Sequence, residues 1–206
     1  MKSVTFTFGR FNPPTKGHMK VVEKLEEQNT DDYMIFLSHT YKPPKDPLPY
    51  NKKVEWFKKS LEPNKRDYLV EGEYRTIMDI AMYLYNKKYD KIIMIVGEDR
   101  VKAFEKMLKD YNGKEAKHGY YEFEDIEVKI AGKRIEGSNS IEGISATKAK
   151  DAVKENNFQK FKELISDQLT EKEKLEMFQD VKNEMGIKES FTLHDIKNAF
   201  TELLRG

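Results

Sequence analysis

The densest chemistry in the chain lies near its amino terminus, in Gly9-Arg10-Phe11-Asn12-Pro13-Pro14-Thr15-Lys16-Gly17-His18. Gly9 permits close approach to the backbone, and Pro13 and Pro14 stiffen the turn that follows. Gly17 and His18 stand where a helix opens, and its free N–H groups and dipole favour an anion. Thr15 adds a hydroxyl, while Arg10 and Lys16 add charge. His18 can donate a hydrogen bond to a phosphate oxygen as negative charge builds there. A second set lies far downstream in Ile144-Ser145-Ala146-Thr147-Lys148-Ala149-Lys150. Ser145 and Thr147 offer hydroxyls and helix-start N–H groups to outer phosphates, and Lys148 or Lys150 offers charge. Alone, a histidine at a helix start or a Ser-x-Thr is more often a cap. In its strand-to-helix context, the first set reads instead as a phosphate-handling turn.

The elements that must position them follow from periodicity. Strand chemistry marks Ser3–Phe8, Tyr33–Leu37, Tyr68–Glu71, Ile92–Val96 and Ile126–Ile130. Helical spacing marks Gly17–Glu27, Asn51–Leu61, Arg75–Asn86 and Val101–Asp110. Tyr41–Tyr50 holds Pro43, Pro44, Pro47 and Pro49 and reads as a loop, as does the polar segment Arg134–Gly143. Everything from Ser145 onward reads as helical. Strand and helix alternate, which predicts an α/β chain with a parallel sheet. Its ligand site should lie beyond the carboxyl ends of the strands.

The tail adds two amphipathic stripes, joined near Gly186. Leu175, Phe178, Val181 and Met185 form the first. Leu193, Ile196, Phe200, Leu203 and Leu204 form the second, opened by a Thr192–Asp195 capping pair. They are expected to pack on the sheet domain, with a partner or self-association surface as the alternative. The expected division is residues 1–165 and a helical extension, 166–206.

Composition closes off other classes. Among 206 residues, 37 Lys and Arg face 36 Asp and Glu, so no global basic field suggests a nucleic-acid partner. There is no cysteine, which excludes a disulfide scaffold, a thiolate zinc site and a cysteine nucleophile. His18, His39, His118 and His194 have no metal-ligand spacing, so no protein-held metal is expected. The longest apolar runs, Ile80–Tyr85 and Ile92–Val96, fall far short of the roughly 20 residues that span a bilayer. The expected protein is soluble and cytoplasmic, with no membrane partner.

The first segment resembles the Gly-x-Phe-x-Pro-x-(His/Thr)-x-Gly-His signature of the nucleotidylyltransferase superfamily. The second resembles that family's Ile-Ser-Ser-Thr-x-x-Arg, with Lys150 at the arginine position. Thr15 at the first histidine position is familiar in the family. The change to Lys150 keeps the charge and loses the bidentate fork. The resemblance covers roughly residues 1–165 and implies a Rossmann-like parallel sheet with helices on both faces. It also implies transfer of a nucleoside monophosphate from a triphosphate to a phosphate-bearing acceptor, with pyrophosphate released. His18 would meet the α- or β-phosphate, and Thr15 would orient the transferring group. Ser145, Thr147 and Lys150 would hold the pyrophosphate. Gly9, Arg10, Phe11, Lys16 and Gly17 would line the nucleotide, with Arg134 a further counter-charge. Mg2+ would travel with the triphosphate.

Two weaker likenesses narrow the substrate. Val96-Gly97-Glu98-Asp99 is similar to the Gly-x-Asp of nicotinamide-mononucleotide adenylyltransferases, where Asp99 would hold a ribose hydroxyl; the alternative is a helix cap before Val101. Ser38-His39-Thr40 with Pro47-Leu48-Pro49-Tyr50 resembles a loop of archaeal-type members and their phage-encoded relatives. Ser38, His39, Lys42 and Lys45 would then meet the acceptor. A phage origin would put the protein in a bacterial host's cytoplasm. Trp56 could stack on a base, although its spacing favours packing. ATP and nicotinamide mononucleotide are the expected substrates. Cytidylyl transfer, suggested by Glu142-Gly143-Ile144-Ser145, and phosphopantetheine adenylylation are the enzyme alternatives. From another class, the chain could be a non-catalytic nucleotide-binding scaffold. The superfamily's habits leave a homo-oligomer open.

Overall fold

In the computed structural model, which describes residues 1–132 and 145–187, strands and helices alternate as their periodicities predict. The strands are β1 (Ser3–Gly9), β2 (Asp32–Leu37), β3 (Leu69–Val70), β4 (Lys91–Val96) and β5 (Asp125–Ile130). Helices α1 (Lys16–Glu26), α2 (Tyr50–Ser60), α3 (Ile77–Asn86) and α4 (Val101–Asp110) connect them. Helices α5 (Ala146–Lys154), α6 (Phe158–Leu164) and α7 (Glu171–Glu184) follow β5. The sheet runs β3-β2-β1-β4-β5, and every pairing is parallel. This is the Rossmann-like arrangement.

A parallel sheet is covered on both faces, so its central strands must be apolar on both. Strand β4 meets that demand. Ile92, Met94 and Val96 face α3 and α4, packing with Ile80, Leu84 and Leu108. Ile93 and Ile95 face α1 and α2, packing with Val22, Leu25, Phe57 and Leu61. The chain builds β1-β2-β3 outward, then crosses back to lay β4 on the other side of β1. The switch point therefore falls between β1 and β4, and a ligand crevice opens beyond their carboxyl ends. Those ends are Gly9 and Gly97.

Side-chain caps set the helix starts. Thr76 accepts from the Asp79 N–H, and the Asp79 carboxylate accepts from the Thr76 N–H at 2.7 Å. Thr170 and Glu173 repeat this box at α7, and Ser145 caps α5 by accepting from the Lys148 N–H.

A third apolar cluster lies under α5, α6 and α7. Phe178 and Val181 of the first tail stripe enter it, joined by Met177, which the stripe omits; Leu175 and Met185 are half-buried. Trp56 of α2 is 2% exposed in the same cluster, and its Nε1 donates to Asp180 at 2.8 Å. It is too deep to stack on a base. The second stripe, the Thr192–Asp195 cap and the segment 133–144 lie outside the described residues.

One strand is shorter than its chemistry suggests. A 3-10 turn occupies Pro63–Tyr68, and only Leu69 and Val70 pair with β2. Just beyond, the Gly72 N–H donates to the Tyr50 hydroxyl at 3.1 Å rather than to a neighbouring strand. Among the described residues, no helix is long and apolar enough to cross a membrane.

Candidate active site

The glycine that ends β1 is required by a ring. Phe11 adopts φ 45°, a region rare for non-glycine residues. Its ring lies over Gly9, and a Cβ on Gly9 would stand 2.8 Å from it. The same ring meets His18 edge-on, with centroids 5.0 Å apart, and packs on Phe57 at 4.8 Å. His18 occupies the third position of α1. Its Nδ1 accepts the Thr15 N–H at 3.0 Å and lies 3.2 Å from the Thr15 hydroxyl. An accepting Nδ1 puts the proton of the neutral ring on Nε2. Backbone and ring thus fix both tautomer and direction.

A proline-rich loop, residues 38–49, is strapped over this motif. Asn12 is 2% exposed and forms two bonds with Leu48, donating to its carbonyl and accepting its N–H, both at 2.9 Å. Lys42 and Asp46 exchange backbone hydrogen bonds of 3.0 and 2.9 Å. Lys53 of α2, fully buried, donates to the carbonyls of Ser38 and Thr40. Lys150 of α5 donates to the Lys45 carbonyl. Arg10 stands 3.4 Å from Asp46.

Between these elements lies a cleft of about 1210 Å³ at the switch point. It gathers Gly9, Arg10, Phe11, Gly17, His18, Gly97, Asp99, Ser145, Thr147 and Lys150 from the expected site, together with Lys45. The amino-terminal ends of α1 and α5 both open on it, so two helix dipoles converge where Arg10 and Lys150 add full charges. Asp99 is exposed at the rim, and α4 is capped at Arg100, so Asp99 is not that helix's cap.

Other expected residues lie elsewhere. Thr15 is fully buried behind His18 and cannot meet a ligand without rearrangement. Lys16 points away and pairs with Asp167 at 2.7 Å, beside a smaller cavity of about 200 Å³. The reason is helical geometry: successive residues of a helix do not share a face. His39 stacks on Tyr50 at 3.8 Å, and its Nε2 lies 2.8 Å from the Gly72 carbonyl. Ser38 is buried, its N–H donating to the Gly9 carbonyl at 2.8 Å, and Lys42 is exposed. None of these residues lines the cleft. Arg134 lies outside the described residues.

Asn12, Asp46 and Lys53 were missed by sequence reasoning. Lys53 had a signal, because it shares the inner face of α2 with Trp56, Phe57 and Ser60. Burial depresses Lys53 to about 8, with Asp46 opposing that shift and Arg10 adding to it. Burial also lowers Lys150, again opposed by Asp46. Between pH 8 and 10.5 the unfolded chain binds more protons at Lys53 than the folded one, so stability should rise with pH across that window. Below it the buried charge costs roughly 3 kcal/mol. Lys53→Met is therefore expected to lose that alkaline rise, while at pH 7 the relief of the buried charge is offset by the Ser38 and Thr40 carbonyls left without their donor. Urea titrations at pH 7 and 9.5 check this, and an unchanged rise would assign it to other groups.

A family model described as cytidylyltransferase-like matches residues 6–152. No match to a curated protein was found. Among solved structures, the chain is similar to a nicotinic acid mononucleotide adenylyltransferase from Plasmodium falciparum. That likeness has 15% identity and a TM-score of 0.55, covering 87% of this chain and 98% of that one. It is also similar to a bifunctional NMN adenylyltransferase/ADP ribose pyrophosphatase from Francisella tularensis. There the identity is 12% and the TM-score 0.53, covering 89% of this chain and 53% of that one. At such identity these likenesses concern the fold.

Proposed function

This chain belongs to the cytidylyltransferase-like family and is a nucleotidyltransferase, and on that premise we propose that it adenylylates a mononucleotide acceptor. ATP is the proposed donor and nicotinamide mononucleotide the proposed acceptor, a step of NAD biosynthesis. The observation that carries this reading is the convergence of two helix amino termini, Arg10 and Lys150 on the cleft at the β1–β4 switch point. Gly97 and Asp99 at the end of β4 support the choice of acceptor family.

In the proposed reaction, an oxygen of the acceptor's phosphate attacks the α-phosphorus. The bond from the α-phosphorus to the bridging oxygen breaks, and pyrophosphate leaves with that oxygen. The attacking phosphate is ionised near neutral pH, so no general base is needed. Catalysis is positioning plus stabilisation of developing charge. His18 donates from Nε2 to an α-phosphate oxygen. Thr15 acts through His18 as a positioning residue. Arg10, Lys150, Ser145 and Thr147 hold the leaving pyrophosphate, and Asp99 holds a ribose hydroxyl. Mg2+ arrives with the triphosphate. Asp46, the buried carboxylate of the wall, is engaged by Arg10.

The test is pyrophosphate release, crossing ATP and CTP with nicotinamide mononucleotide, phosphopantetheine and glycerol 3-phosphate, with products identified by mass. The expected product is a dinucleotide from ATP and nicotinamide mononucleotide alone. A CTP product would replace this reading with cytidylyl transfer. Triphosphate binding without release across the grid would make the chain a nucleotide-binding scaffold.

A further inference from the structure

A carboxylate is an unexpected group in a wall that faces phosphate. Asp46 lines the cleft, yet its side chain is only 5% exposed. Nη1 of Arg10 stands 3.4 Å from each of its oxygens. Its charge also acts on Lys53 and Lys150, opposing what burial does to each. Arg10, just past the end of β1, thus meets this carboxylate directly, while Lys53 of α2 and Lys150 of α5 bond the same loop through the carbonyls of Ser38, Thr40 and Lys45. The backbone exchange with Lys42 and the grip of Asn12 on Leu48 fix where that carboxylate sits.

Building on the functional reading above, we propose that Asp46 is a positioning residue. It holds Arg10 at the cleft wall beside Lys150, which the neighbouring Lys45 carbonyl anchors, so that the two cations form one receptor for the outer phosphates. Charge counting decides the sign of its effect. Three cations against one carboxylate leave the wall positive. Without Asp46, the nearby cations repel one another, and the lowering of Lys53 by burial and by Arg10 is no longer opposed. Removing the carboxylate therefore does not make the wall more positive by a full charge. It frees Arg10 from its place beside Lys150.

The test is calorimetric titration of the full chain with ATP and AMP, and in parallel with CTP and CMP. Asp46→Asn, Asp46→Glu and the double variant Asp46→Asn/Lys53→Met are compared with the parent, and circular dichroism checks folding. The Asn variant should bind the triphosphate about tenfold more weakly, as befits loss of charge-assisted contacts. It should bind the monophosphate as the parent does. The Glu variant should recover part of the loss. The double variant should be no weaker than the Asn variant, because Lys53 bonds the Ser38 and Thr40 carbonyls and does not line the cleft. An unchanged preference for triphosphate in the folded Asn variant, or tighter triphosphate binding, overturns the proposal and makes Asp46 a repelling charge only. If the Asn variant does not fold, the Glu and double variants decide by the same ratio. A parent chain that prefers neither triphosphate over its monophosphate overturns the functional reading, and this inference with it.

Discussion

His18→Ala should lower turnover by about two to three powers of ten, the cost of losing one preorganised donor to a developing oxyanion. The structure makes this substitution informative, because the ring is held from two sides. Thr15 presents its N–H to Nδ1, and Phe11 meets the ring edge-on. The imidazole therefore loses little freedom when the reaction begins, and its contribution concentrates in the transition state. The KM for the triphosphate should change far less than kcat, since the donor is needed most when charge has moved onto the phosphate. Folding should survive, because His18 is half-buried at a helix start rather than in the core. Steady-state pyrophosphate release with a circular dichroism control reads both effects. Near-normal turnover in folded protein would sink the role proposed for His18.

The largest loss of stability is expected from Asn12→Ala. Asn12 satisfies both backbone groups of Leu48, which is itself fully buried in the cluster under α5, α6 and α7. Alanine strands a donor and an acceptor where water cannot easily replace them. Each such group costs about 1–3 kcal/mol, so a loss of roughly 3 kcal/mol is expected. In a chain of this size that corresponds to a fall in Tm of roughly 10 °C. Thermal and urea unfolding measure it directly. Activity should fall as well, because the strap that carries Lys45 and Asp46 to the cleft loses its anchor on the motif. A destabilisation below about 1 kcal/mol would mean that the loop relaxes onto other partners.

Much of this molecule is legible before it is folded. Strand β4 announces itself because a strand buried on both faces must be apolar throughout, and Ile92–Val96 is. The first motif reads as a strand-to-helix turn built for anions, because Gly9, the prolines and the Gly17–His18 start are local chemistry. Less legible was the division of labour within that motif. Thr15, Lys16 and His18 are neighbours in sequence, yet one is buried, one faces Asp167 and one faces the cleft. The Ser38–Thr40 segment was expected to meet an acceptor, but its carbonyls receive Lys53, and His39 turns to Gly72.

The sequence by itself determined the fold class, the family and the two segments that meet at the site. Apolar periodicity, caps and turn residues act over a few positions, and those positions are adjacent in the chain. Only the tertiary structure decided which groups the charges meet. Asp46 lies 36 residues from Arg10 and Lys150 lies 105 residues from Lys45, so their pairing depends on how loop, strand end and late helix pack. Electrostatic partners are chosen by distance in space and by burial, and neither quantity is written in local spacing.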